Sequence, residues 1–148
     1  MVWSPRVTVA AVITDDAGRH LLVEEAPEGA VVFNQPAGHG EPGESLLQAV
    51  CREVREETCR EFTPLALLGI YQWVSPRGKT YLRFGFHGRV GEVLHGCQRD
   101  PDIIRTHWLA TREITHGGLQ LRSPMVAQCI SDHQAGHHLP LEALHEMA

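Results

Sequence analysis

Glu53, Glu56 and Glu57 stand three and four residues apart in a chain of 148 residues. On a helix advancing about 100° per residue they share an arc of about 100°, next to a stripe of Leu47, Val50 and Val54. Like charges at these spacings repel by a few tenths of a kcal/mol when solvated, and by more when half-buried. A positive partner is therefore needed. Arg52 and Arg55 are at hand, but three convergent carboxylates are best served by a hard divalent cation with oxygen ligands, Mg²⁺ or Mn²⁺. A Glu-x-x-Glu-Glu run alone is also what an ordinary solvated helix face carries. Its surroundings set this one apart: Gly38, Gly40 and Gly43 let the backbone approach closely, and Glu44 belongs to the loop and helix entry.

Taken together, Gly38, Glu44 and Arg52-Glu53-Val54-Arg55-Glu56-Glu57 resemble the Nudix box, the signature of hydrolases that cleave nucleoside diphosphates linked to another moiety. The box spans residues 38–60. Where the family closes it with glycine and an aliphatic residue, this chain has Cys59 and Arg60. If the glycine's left-handed geometry is kept, a side chain there costs about 1 kcal/mol, and the carboxylates are untouched. Residues 6–10, 34–39, 82–84, 121–126 and 139–142 extend the resemblance to a phosphatase branch of the family. That branch removes orthophosphate from thiamin-pathway pyrimidine diphosphates, thiamin diphosphate and nucleoside di- and triphosphates.

The resemblance implies a Mg²⁺ enzyme, with Mn²⁺ as substitute. Glu53 and Glu57 would be the main ligands, joined by Glu56 and the Gly38 carbonyl. Arg52 would orient the glutamates, and Glu53 is the first choice to take a proton from water. Glu44 and Asp102 are further carboxylates near such a site, although Asp102 also reads as a turn residue in Asp100-Pro101-Asp102. Arg83 would reach a substrate phosphate or else face solvent. Trp3, Tyr71 and Trp73 offer stacking faces for a base, worth about 1–3 kcal/mol each, or else fill the core. His39 would touch a phosphate or serve as a loop residue. Pro76 sits where a hairpin turn takes proline anyway. His133, His137 and His138 have metal-ligand types, but Gly136 interrupts them and no carboxylate accompanies them, so no site is expected there.

The elements that must position these groups follow from the pattern. Residues 6–13 and 20–23 read as a hairpin, 30–33 as a short strand, and 64–74 with 80–90 as a second hairpin. Residues 103–109 form a further strand. Ser45 with Gln48 makes a capping box for a helix running to about Thr58. Ser123-Pro124 opens another, which Gly136 stops after about Gln134. The expected architecture is one α/β (α+β) domain over residues 1–148, a mixed sheet sandwiched between helices, and the resemblance makes it a Nudix fold.

Composition narrows the partners. A net charge of −5 offers no basic coat for a nucleic acid polymer. No apolar run approaches the ~18 residues of a membrane span, and the N-terminus lacks a signal-peptide layout, so cytoplasmic location is the default. The four cysteines show neither zinc spacing nor a disulfide framework. Between Glu41 and Glu61 lie six acids and three arginines, a net of −3. The acidity is thus concentrated where a cation would bind, which keeps small phosphorylated metabolites and nucleotides as partners. A monomer and a homodimer are both compatible. The alternatives are a MutT-like nucleoside triphosphate pyrophosphohydrolase, an ADP-sugar hydrolase, or a Nudix module that senses nucleotides without cleaving them.

Overall fold

The computed structural model describes residues 1–147. Strand β1 (Arg6–Ile13) is its central element. Its β-branched run is buried on both faces, the pattern of an interior strand. It pairs in parallel with β6 (Thr80–Val90), from Arg6 opposite Tyr81 to Ile13 opposite Gly88. On its other edge it runs antiparallel to the short β4 (Ala37–His39). β6 in turn forms a hairpin with β5 (Phe62–Val74), giving the order β4-β1-β6-β5. Val9, Ala11 and Ile13 pack with Ala49, Val50 and Val54 of helix α1 (Leu46–Thr58), whereas Val12 packs with Leu68 and with Cys129 of helix α3 (Pro124–Gln134). The mixed sheet therefore lies between helices, as the sequence indicates.

A second, antiparallel sheet has the order β3-β2-β7, built from β2 (His20–Glu25), β3 (Val32–Asn34) and β7 (Ile103–Leu109). It corrects the expected first hairpin. β1 and β2 part into different sheets and keep only the Thr14–His20 bridge, because Leu22 faces Ile114 and Ile130 instead. Helix α2 (Thr111–His116), which carries Ile114, is too short at six residues to show a periodic signal.

Both longer helices begin where their caps dictate. Ser45 and Gln48 form the reciprocal capping box, and Ser123 accepts from Met125 N–H ahead of Pro124. Helix α1 ends on Cys59 at φ 55°, ψ 36°, the sole non-glycine residue with positive φ among those described. The left-handed geometry is thus kept without glycine. Cys59 N–H donates to Arg55 O at 2.9 Å, and Cys59 O accepts from Leu94 N–H at 2.8 Å. A disulfide between Cys59 and Cys97 then ties the helix end to the following loop, contrary to the expectation that no cysteines pair. The pairing spans 38 residues, a separation that spacing motifs do not encode.

Closing a loop of this size restricts the unfolded chain by about 3–4 kcal/mol. Cys97→Ser should lower the unfolding free energy in urea by that order. A Cys59→Gly/Cys97→Ser double variant should recover about 1 kcal/mol relative to Cys59→Ala/Cys97→Ser, since glycine accepts positive φ without strain.

Candidate active site

Helix α1 presents its carboxylates at graded depth. Glu57, three residues beyond Val54 and seven beyond Val50, falls on the edge of the buried stripe and is 7% exposed. Glu53 is mostly covered, and Glu56 faces solvent. Glu57 Oε1 accepts the Ala37 N–H at 2.9 Å. Burial nevertheless pushes the Glu57 carboxyl up to about 9, and the charges of Glu53, Glu25 and Asp100 add to the rise. Burial also raises Glu53, against the opposing pull of Arg52. A Cβ on Gly38 would lie 2.2 Å from the Glu53 carboxylate, so a side chain there would displace that carboxylate from its place beside β4.

Arg52 holds these groups together. Its Nε and Nη2 form a fork on Glu44 at 3.0 and 2.7 Å. Nη1 donates to Glu53 Oε1 at 2.9 Å and to Glu56 Oε2 at 3.2 Å, while Nη2 also reaches the His39 carbonyl at 3.0 Å. These bonds raise Arg52 above its ordinary range and hold Glu44 below the usual carboxylate range. Glu44 is thus an ion-pair partner of Arg52.

The donor set of Glu53, Glu56, Glu57 and the Gly38 backbone is all oxygen, which suits a hard cation. Two of its carboxyls are desolvated and held above their ordinary range, the state a divalent cation would relieve. Glu53 and Glu56 turn toward Arg52, and Glu57 turns toward Ala37.

Glu53, Glu57 and Gly38 line one side of a cavity of about 700 Å³. Trp73, Tyr81 and Arg83 line another. Trp73 and Tyr81 are cross-strand partners whose rings stack 5.8 Å apart. Arg83 is 4% exposed, which rules out the solvent-facing account. Its Nη1 donates to Gln35 Oε1 at 2.9 Å and its Nη2 to Asn34 Oδ1 at 3.1 Å, both neutral amides, and its buried Nε has no partner. A buried cation without an acid beside it lacks most of the compensation that such burial demands.

His39 and Pro76 also border the cavity. Burial lowers the His39 imidazole, with Arg6 and Arg122 adding to the effect. Trp3 and Tyr71 do not border it. Trp3 is 61% exposed ahead of β1, and Tyr71 donates its hydroxyl to Asp132 Oδ2 at 2.7 Å, joining β5 to α3. Asp102 is exposed in a turn, its N–H bonded to Asp100 Oδ1 at 2.9 Å. Asp100, which no sequence motif marks, lies nearer the carboxylates: its N–H donates to Glu56 O at 2.7 Å. Asn34, Gln35 and Tyr81 are likewise absent from the sequence-based candidates. The first two stand beside the box loop, and the third is recognisable only from its register with Trp73.

The NUDIX domain model matches residues 4–129. The chain belongs to the Nudix hydrolase family. It is 37% identical over 143 residues to Phosphatase NudJ of Escherichia coli K12, covering 97% of this chain and 92% of that protein. A NUDIX hydrolase from Nitrosomonas europaea superposes with a TM-score of 0.92 at 48% identity, covering 97% and 98% of the two chains. The NUDIX domain of Shewanella oneidensis NrtR, solved with ADP ribose, shares the fold alone: TM-score 0.73, 19% identity, coverage 91% and 90%. The chain is thus a hydrolase of acid anhydrides in phosphorus-containing substrates, from a family whose members generally use a divalent metal and small phosphorylated nucleotides. Among the described residues, no helix is long and apolar enough to cross a membrane.

The raised Glu57 value gives a signed pH dependence. A carboxyl displaced from 4.5 to about 9 in the folded state contributes stability below 4.5, which is lost as pH rises through 9. Urea unfolding in EDTA should therefore show stability declining from pH 5 to 9. Glu57→Gln should flatten the decline, and Mg²⁺ should restore stability to the unsubstituted protein at pH 9.

Proposed function

We propose that this Nudix hydrolase is a Mg²⁺-dependent phosphatase of small organic diphosphates and nucleoside di- and triphosphates that releases orthophosphate. Thiamin-pathway pyrimidine diphosphate, thiamin diphosphate and GDP or GTP would be its substrates. The observation that carries the reading is Arg83, a buried cation that lines the same cavity as Glu53 and Glu57 and has no carboxylate partner. A phosphate seated between them would supply the missing anion. The stacked Trp73 and Tyr81 would accept a ring. The 37% identity to Phosphatase NudJ supports orthophosphate as the product.

A divalent cation on the box carboxylates would neutralise charge on nonbridging phosphate oxygens and acidify the attacking water. The protein's own residues do the rest. Arg83 holds a phosphate by charge-assisted hydrogen bonds. Arg52 fixes the orientation of Glu53, and Glu53 accepts the proton as water oxygen bonds to the terminal phosphorus. The bridging P–O bond then breaks, leaving its electron pair on the departing phosphate, a monophosphate from a diphosphate substrate and a diphosphate from a triphosphate. Glu53 and Glu57, joined by Glu56 and the Gly38 carbonyl, would hold the cation. The enzyme would act in the cytoplasm beside these metabolites, where Cys59 and Cys97 would spend part of their time as thiols.

Assays of thiamin diphosphate, GDP and GTP with Mg²⁺ should yield orthophosphate, and EDTA should abolish the release. Pyrophosphate from GTP would overturn the phosphatase reading in favour of a MutT-like one. Glu53→Gln, which removes the proton acceptor, and Glu57→Gln, which removes a carboxylate of the cation site, should each lower kcat by at least ~100-fold.

Arg83→Met should raise KM about 10- to 100-fold, corresponding to about 1.5–3 kcal/mol for hydrogen bonds to a charged group. Its melting temperature should hold or rise, because an unpaired buried charge is removed. A purely structural arginine would instead show a falling melting temperature with KM unchanged.

A further inference from the structure

Among the described residues, His87, His133 and His138 form the only group of three metal-ligand side chains whose donor atoms lie within 4.8 Å of one another. They come from three elements. His87 lies on β6, His133 in the last turn of α3, and His138 in the segment beyond Gly136. Neither the catalytic carboxylates nor the cavity includes them. In the sequence, His133 and His138 lack a companion ligand. β6 supplies that companion, while His137 turns instead to Asp132 at 3.4 Å.

The geometry favours a site over an incidental contact. His133 Nδ1 and His138 Nε2 are 2.8 Å apart. Two imidazole nitrogens on one tetrahedral Zn²⁺, each about 2.05 Å from the ion, stand roughly 3.3 Å apart. His87, 9% exposed, is anchored by Thr14 Oγ1 at 3.2 Å from its Nε2. His138 is held in place through its neighbour, because Leu139 and Leu67 exchange backbone hydrogen bonds of 2.9 and 2.8 Å. Three imidazoles in contact cannot all carry charge. Burial and mutual repulsion lower His87 to about 4, and the same causes lower His133, which leaves them as neutral ligands. The rings of His87 and His138 are now 10° from parallel, and those of His87 and His133 are 28° apart. Closure on an ion therefore turns the His133 and His138 rings out of their stack against His87 so that the in-plane lone pairs converge.

We propose that His87, His133 and His138 form a second metal site, for a borderline divalent transition ion such as Zn²⁺, Co²⁺ or Ni²⁺, that clips the end of α3 to β6. An all-imidazole donor set selects such ions and disfavours Mg²⁺. The same helix carries Met125 to the cavity wall, and the same strand carries Arg83. The clip thus steadies the scaffold from the end remote from the chemistry. It stands independently of which phosphoanhydride the enzyme hydrolyses.

The test is calorimetric titration of the full chain with Zn²⁺, and optical titration with Co²⁺, both in millimolar Mg²⁺ to occupy the box. One equivalent should bind to the unsubstituted protein and to Glu57→Gln. His133→Gln and His138→Gln should each weaken it at least tenfold, while melting without metal as the unsubstituted protein does. Zn²⁺ should raise the melting temperature of the unsubstituted protein and not that of either histidine variant. These two positions suffice, so the outcome does not depend on whether a variant of the more deeply buried His87 folds. Absence of the equivalent, or less than tenfold weakening in either histidine variant, overturns the site.

Discussion

A carboxyl group placed where water cannot reach it is the constraint around which this molecule is arranged. Glu57 lies on the edge of the apolar stripe that anchors α1 to the sheet, so the burial that holds the helix also desolvates the acid. The Ala37 N–H bonds that carboxyl, while Arg52 and the close approach of Gly38 act on its neighbour Glu53. No cationic side chain bonds Glu57, which leaves its carboxyl poised for a cation. Packing and reactivity are therefore one feature: a helix turned 100° would solvate Glu57 and leave Val54 exposed.

Arg83 is the complementary case. Its guanidinium is buried among amides, so β6 brings a cation without a carboxylate partner to the cavity that the carboxyls of Glu53 and Glu57 also line. Such a pair of imperfectly compensated surfaces suits a ligand that carries a metal and a phosphate together. The opposed charges also explain how a chain with a net charge of −5 can belong to a family that acts on anions.

Local signals carried much of this into the sequence. The Ser45–Gln48 capping box, the Ser123-Pro124 start and the β5–β6 hairpin are written in contiguous residues and appear where expected. The glutamate face was readable because helical periodicity alone places it. What stayed hidden depends on pairing between distant segments. The divergence of β1 and β2, the Cys59–Cys97 bond, the burial of Arg83 and the meeting of His87 with His133 each join residues that no short window contains. Trp3 and Tyr71 show the converse, for an aromatic ring in the sequence does not reveal whether it borders a cavity or fastens a helix.

The parallel pairing of β1 with β6 has a kinetic corollary. Arg6 meets Tyr81 across about half of the chain, so this register cannot form until the intervening residues have been synthesised and looped back. Such non-local closure slows folding because its chain entropy is lost before the contacts compensate it. α1, capped at one end, is a local element, but Arg83 and the Trp73–Tyr81 pair reach it only when β6 docks beside β1. A nascent or partly folded chain thus displays the acidic helix without the basic wall. The ability to hold a phosphate would be among the last properties acquired and would report completion of the fold.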